Sequence, residues 1–230
     1  MTDAPRATAG AAETTPPTKA DRPYGALAWA LGALVAAVVL AATFPAWRYS
    51  VPYGAMLAAS YLLTWGPLAI ALAATAVFWR RFLGFRAVDI YLGLMIGVVG
   101  RAVGIVIQFL ATGRMPSSDV VLGGVTGIYF FTAVIAPVIL APLIEEPFFR
   151  GLLQGSLGRI AGSWGSWVIT AAVFTVVHTI ADGWSWAAVA TLFVFALLAG
   201  YVTQRTKRLA PAIVGHATFN GLAALITWPW

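Results

Sequence analysis

The chain has 230 residues, of which 60% are hydrophobic and only 10% charged, with a mean hydropathy of +0.86 and a formal net charge of +6. A soluble domain carries about 25% charged residues, so the composition points to a lipid bilayer as the solvent for most of the chain. The absence of cysteine excludes disulfides, thiolate nucleophiles and thiolate metal ligands, and the basic residues are sorted along the chain as a topology signal that gives no reason to expect a nucleic-acid partner.

Residues 1–22 are rich in Ala, Thr and Pro without apolar periodicity, the composition of a disordered tail. The apolar run that follows, 24–46, is too long for the core of a cleavable signal peptide. It reads as a first membrane span. Runs of about 20 apolar residues cross about 30 Å of hydrocarbon as helix, and seven candidates meet that length: 24–46, 54–79, 90–111, 121–149, 164–181, 184–203 and 210–228. The fourth carries Pro137, Pro142 and Pro147, and its helix is expected to continue past Arg150 towards Gly158. The expected fold is therefore an all-α, polytopic membrane bundle over 23–230, in the cytoplasmic (plasma) membrane.

Lysine and arginine set the expected orientation, because cytoplasmic connections retain them. Arg6, Lys19 and Arg22, then Arg80, Arg81 and Arg86, then Arg150 and Arg159, then Arg205, Lys207 and Arg208 fall on one side. Only Arg48 and Arg114 fall on the other, and Arg101 lies inside a span. The N-terminus is expected in the cytoplasm and the C-terminus outside. Trp164, Trp167, Trp184, Trp186, Trp228 and Trp230 stand at span ends, as an interfacial belt would. Gly93 and Gly97, Gly100 and Gly104, and Gly123 and Gly127 are each four apart, a spacing that lets helix backbones approach closely in lipid.

The ionisable residues are the informative ones. Outside the tail the only glutamates are Glu145 and Glu146, and the only histidines are His178 and His216. All four lie in apolar runs, where ionisable groups face the bundle interior and mark function. Glu146 and Arg150 are four apart and share a helix face, whereas Glu145 is turned by about 100°. His216 and Asn220, in "HATFN", also share a stripe. Glu145 and His178 each stand about 16 residues from a turn expected at Ala161 and Gly162, so antiparallel helices place them at one height, ~25 Å from it. His216, eight residues past Arg208, lies only ~12 Å into its span. The heights agree if the hairpin of spans four and five protrudes or tilts.

Peptide hydrolysis needs a base to activate water, a partner to hold it, and donors for the oxyanion. A glutamate drawn out of water suits general-base work at neutral pH. A nearby histidine can orient the water, and an asparagine amide with a second imidazole can donate to the oxyanion. A second glutamate bound to arginine fixes the frame.

"EEPFFRG" at 145–151, "FTVVH" at 174–178, "FALLAG" at 195–200 and "HATFN" at 216–220 resemble the four ordered motifs of the CPBP family, the CAAX prenyl endopeptidases and their bacteriocin-processing relatives. The resemblance covers about 137–225. It implies an intramembrane endopeptidase with its core at about 121–228, in which Glu145 activates water with His178, and His216 and Asn220 form the oxyanion pocket. Glu146 and Arg150 would support them. It further implies a peptide or membrane-protein substrate in the bilayer. Family descriptions also speak of a metalloprotease, in which Glu145, His178 and His216 would ligate a zinc ion with an open position; the metal-free route is preferred, and no HExxH pair is present. Pro147 departs from the family pattern and is expected to bend the helix beside the site.

The bland alternatives are a structural Glu146–Arg150 ion pair, Glu145 as a second partner of the same arginine, hydrogen-bonded core histidines, and an Arg101 that snorkels or pairs with an unidentified partner. Competing functions are a non-enzymatic immunity or scaffold protein using the same pocket, and a proton-coupled transporter. The second would need polar positions continuing to both faces, which spans one to three do not supply beyond Arg101 and Gln108.

Overall fold

The computed structural model describes residues 23–44, 53–115, 127–182 and 184–226, and among them there is helix and no strand. The expected tail, Arg48, Asp119, Gly123, Trp228 and Trp230 lie outside the described residues. Helix is what an apolar solvent dictates, because each backbone polar group must find its partner within the segment. Seven rods result. They are α1 (Pro23–Thr43), α2 (Tyr53–Ala74, extended by short turns to 82), α3 (Ala87–Thr112), α4 (127–157), α5 (Gly162–Asp182), α6 (Trp186–Thr206) and α7 (Ala210–Ile226).

Five of these, α1, α2, α3, α5 and α6, contain stretches long and apolar enough to cross a membrane. Their outward faces carry large apolar side chains, among them Leu31, Val35, Leu62, Ile70, Leu94 and Leu110, all exposed as lipid-facing residues must be. The other two expected spans take a different form. At 17 residues, α7 is ~25 Å long, short of a full crossing. α4 is one rod of five segments, in which α-helical turns at Gly127–Phe130, Ala141–Glu146 and Gln154–Leu157 alternate with π-helical Phe131–Leu140 and Pro147–Leu153.

The prolines account for that alternation. Proline brings no N–H, and its ring clashes with the carbonyl four residues back. Widening the turn to an i→i+5 register accommodates it: Ala141 N–H donates to Ala136 O, and Gln154 N–H to Phe149 O. Pro147 keeps helical angles, φ −56° and ψ −37°. It lies where α register gives way to π, and the helix runs on past Arg150, ending just before Gly158.

α3 begins three residues before its apolar run does, because the buried Asp89 accepts the Arg86 N–H at 2.8 Å. The same carboxylate takes Nε and Nη2 of Arg208 at 2.7 and 2.6 Å, tying α3 to the α6–α7 connection and holding the Arg208 guanidinium above its ordinary pKa through that hydrogen bond. Glycine then lets α3 and α7 touch. A methyl group on Gly93 would stand 2.5 Å from Val214 Cβ and 2.9 Å from Pro211 O, and one on Gly97 would meet Thr218 and stand 2.7 Å from Gly215 O. Close approach is thus the purpose of this pair, as the spacing suggested.

α1 lies against α2 and buries Ala26, Ala30, Ala33 and Ala37, and both helices pack on the second π segment of α4. α5, α6 and α7 reach the same rod. The helix bearing the two glutamates is therefore enclosed from most sides.

Gly97→Ala should destabilise the protein in detergent by about 1–3 kcal/mol through overpacking against the α7 backbone. Gly32→Ala, on an open face of α1, should be neutral or stabilising by up to about 1 kcal/mol. Thermal unfolding of the two variants checks this.

Candidate active site

Glu145 and Glu146 occupy the α-helical turn between the two π segments, and they diverge as adjacent helical positions must. Glu146 is fully buried. Its Oε2 accepts from Arg150 Nε at 3.1 Å and its Oε1 from His216 Nδ1 at 2.9 Å. Glu145 turns instead towards α2 and α5, where Trp65 Nε1 donates to Oε1 at 3.1 Å and His178 Nε2 stands 3.3 Å from Oε2. The equal spacing of Glu145 and His178 from the α4–α5 turn places them level, as expected. His216 meets Glu146 although it lies only half as far from its own turn, so the α4–α5 hairpin reaches past the α6–α7 connection or leans across it.

The hydrogen bonds fix which nitrogens carry protons. His178 Nδ1 lies 2.8 Å from Phe174 O, and a carbonyl only accepts, so Nδ1 holds hydrogen. His178 thereby turns Nε2 towards Glu145 Oε2, the two atoms 3.3 Å apart at the cavity wall. His216 Nδ1 likewise donates to the Glu146 carboxylate, leaving its Nε2 as the atom that can act elsewhere.

Aromatic rings set both imidazoles. Phe174 stacks on His178 with centroids 4.0 Å apart and 27° between planes, and Phe195 lies 5.3 Å from His216. Phe195 also stacks on Phe219 at 4.5 Å. These are the phenylalanines of "FTVVH", "FALLAG" and "HATFN". Gly200 of the second stretch accepts Gln154 Nε2 at its carbonyl at 3.0 Å, and a side chain there would collide with Gln154 and Trp167.

Asn220 Nδ2 donates to Pro137 O at 2.7 Å. In the i→i+5 register that carbonyl's partner would be residue 142, a proline with no N–H. Asn220 supplies the missing donor and keeps a second amide hydrogen.

Glu145, His178, His216 and Asn220 all line one cavity of about 520 Å³. Glu146 and Arg150 do not line it. Two further residues were not anticipated as site components. Trp65 holds Glu145, and nothing in its apolar surroundings singled it out. Arg101 also lines the cavity, donates Nε and Nη2 to Phe219 O at 3.1 and 2.9 Å, and lies 3.9 Å over the Phe219 ring. It is bound to the backbone beside Asn220 rather than snorkelling, and a charge inside a span was the signal for it.

For the zinc alternative, no three His, Asp or Glu side chains come together as ligands for one ion among the described residues.

Residues 127–222 match a family model described as type II CAAX prenyl endopeptidase Rce1-like. That stretch of the chain is similar to the Rce1-like family. It contains every helix segment that supplies the two glutamates, the two histidines and Asn220. At the family level the Rce1-like assignment is that of a CAAX-type intramembrane protease. No curated protein and no solved structure matches the chain.

Glu146→Gln should cost about 3–5 kcal/mol, because it leaves the Arg150 guanidinium, 1% exposed, without its counter-charge. Glu145→Gln keeps the acceptor for Trp65 and should cost within about 1 kcal/mol. Unfolding midpoints in detergent distinguish the two glutamates.

Proposed function

We propose that the Rce1-like core hydrolyses a peptide bond in a membrane-associated peptide or protein, with Glu145 as the base. The observation that carries this reading is the convergence of Glu145, His178, His216 and Asn220 on one cavity, with Glu145 Oε2 3.3 Å from His178 Nε2. Water bound on the cavity side of the Glu145–His178 pair gives it a proton as the water oxygen adds to the scissile carbonyl. The developing oxyanion takes hydrogen bonds from Asn220 Nδ2 and from His216 Nε2. The second donor requires imidazolium, since Nδ1 is committed to Glu146; the Glu146 carboxylate is placed to stabilise that charge. Collapse of the tetrahedral intermediate breaks the C–N bond, and the proton passes from Glu145 to the leaving amine. Glu146 is thus a positioning residue for His216, and Arg150 holds Glu146.

The substrate reading is a chain with an apolar segment. A second, almost wholly apolar cavity of about 630 Å³ runs between α2 and α4, and Tyr61 and Trp65 line both it and the first cavity. A substrate held there by its apolar part would present a peptide bond beside Glu145. The orientation that accompanies this proposal has the N-terminus and the basic connections in the cytoplasm, in the plasma membrane.

Purified protein in detergent should cleave some member of a panel of prenylated tails, unprenylated tails and proteome-derived membrane peptides. Glu145→Gln should lower kcat by about 10²–10⁴ with an unchanged unfolding midpoint, and chelator should leave the wild-type rate intact. Asn220→Ala should lower it by about 10²–10³. No cleavage of any panel member by stable wild-type protein would favour a peptide-binding scaffold, and loss of activity to chelator would overturn the metal-free route.

A further inference from the structure

A second polar cavity, of about 390 Å³, lies at the end of the bundle formed by the α2–α3 connection, the α4–α5 turn and the C-terminal end of α6. Four cations line it, Arg81, Arg150, Arg159 and Lys207, and no acidic residue does. Its inner wall is built for a ligand rather than for water alone. Arg150 is 1% exposed and spends only Nε on Glu146; Nη1 and Nη2 are buried without a hydrogen-bond partner. The Thr203 hydroxyl, on a side chain that is also buried, has no partner either. Gln154 commits its Nε2 to Gly200 O and contributes no donor to the cavity.

The outer wall gathers like charges. Arg81 and Arg159 both stand over the Phe78 ring, at 4.4 and 4.8 Å from its centroid. Burial, and then the Arg159 charge, push the Arg81 guanidinium below its ordinary pKa. Lys207 adopts the left-handed conformation, φ 55°, at the end of α6, where glycine would be unstrained. Asp89, Glu145 and Glu146 do not pair with these three: Asp89 is taken by Arg208, Glu146 by Arg150 and His216, and Glu145 lines the other cavity. Retention of basic residues on one membrane side accounts for their number, but not for a buried guanidinium, stacked over Phe174, whose Nη atoms have no hydrogen-bond partner.

We propose that this cavity binds a phosphate group, presented by an anionic phospholipid of the adjoining leaflet. Guanidinium edges with two parallel N–H groups, a hydroxyl and an ammonium are the donors that recognise phosphate oxygens. The volume suits a glycerophosphate headgroup, and Leu83 and Phe85, on the same connection as Arg81, are 57% and 65% exposed where acyl chains would lie. The site is independent of the peptidase reading, although Arg150 links the two: one edge of its guanidinium holds Glu146 and the other faces the phosphate.

The test is native mass spectrometry of the full chain in detergent, titrated with phosphatidylglycerol, phosphatidylcholine or inorganic phosphate. One phosphatidylglycerol should be retained per chain in preference to phosphatidylcholine, and Arg159→Gln/Lys207→Gln should weaken it about 30-fold. Arg159→Lys, which keeps the charge, should retain most of the binding. Phosphatidylglycerol binding that millimolar inorganic phosphate leaves undisturbed assigns the phosphate to lipid; inorganic phosphate bound at the same residues assigns it to a soluble source. Equal retention of the two lipids with no response to phosphate, or binding unchanged in the double variant, overturns the proposal. Arg81→Gln replaces the double variant if the latter has a lowered unfolding midpoint.

Discussion

A carboxylate sealed inside the bundle, that of Glu146, is the constraint on which the rest of the site depends. Removing a charge from water costs several kcal/mol, repaid only by close opposite charge and filled hydrogen-bond positions. Both oxygens of Glu146 are filled, one by Arg150 and one by His216. The first bond lies along α4 and stiffens it. The second reaches to α7 and fixes where that helix stands relative to α4. Any slip of α7 along α4 would open the bond and strand a charge, so the register of the two helices is set electrostatically. Gly93 and Gly97 then carry that register to α3, because α3 touches α7 backbone at those positions and admits no side chain there.

The prolines of α4 give the same register a second hold. Their five-residue spacing matches the i→i+5 period of the π turns in which the helix accommodates them. Where one proline carbonyl falls opposite another proline's nitrogen, no backbone donor exists. Asn220 fills that position, one helical turn beyond His216 on α7. The stripe of α7 that resembles an oxyanion pocket is thus also the stripe that satisfies α4: His216 binds its buried anion and Asn220 its orphaned carbonyl. A helix with regular i→i+4 bonds would satisfy Pro137 O with the Ala141 N–H and leave Asn220 without that role, which is a physical reason for π turns to accompany a site of this kind.

Much of this was legible in the sequence because helical arithmetic is simple. The divergence of Glu145 and Glu146, the Glu146–Arg150 pair and the level placement of Glu145 and His178 all follow from counting residues around or along a helix. The choice of Glu146 by His216 does not, since it depends on how far two hairpins overlap, and connections of different length leave that open. Trp65, Arg101 and Asp89 were not placed for a related reason. Each bonds a group far away in sequence, and only helix packing decides which one. The spacing of Pro137, Pro142 and Pro147 was visible throughout. Its consequence was not, because an i→i+4 reading treats each proline as a separate bend.

The division of labour between the two glutamates follows from their surroundings rather than from their chemistry, which is the same. Glu146 has two cationic or hydrogen-bearing partners and does not line the cavity, so it is held as part of the frame. Glu145 has one neutral donor, Trp65, and an imidazole nitrogen 3.3 Å away, and it lines the cavity. A carboxylate on a cavity, within reach of an imidazole nitrogen, can pass a proton to and from it, and that is the property a general base needs. Exchanging the two roles would require moving Arg150 by one position, to residue 149, where it would meet Glu145 four residues back. The position of a single arginine, four residues after the second glutamate and five after the first, therefore decides which carboxylate is frame and which is free to react.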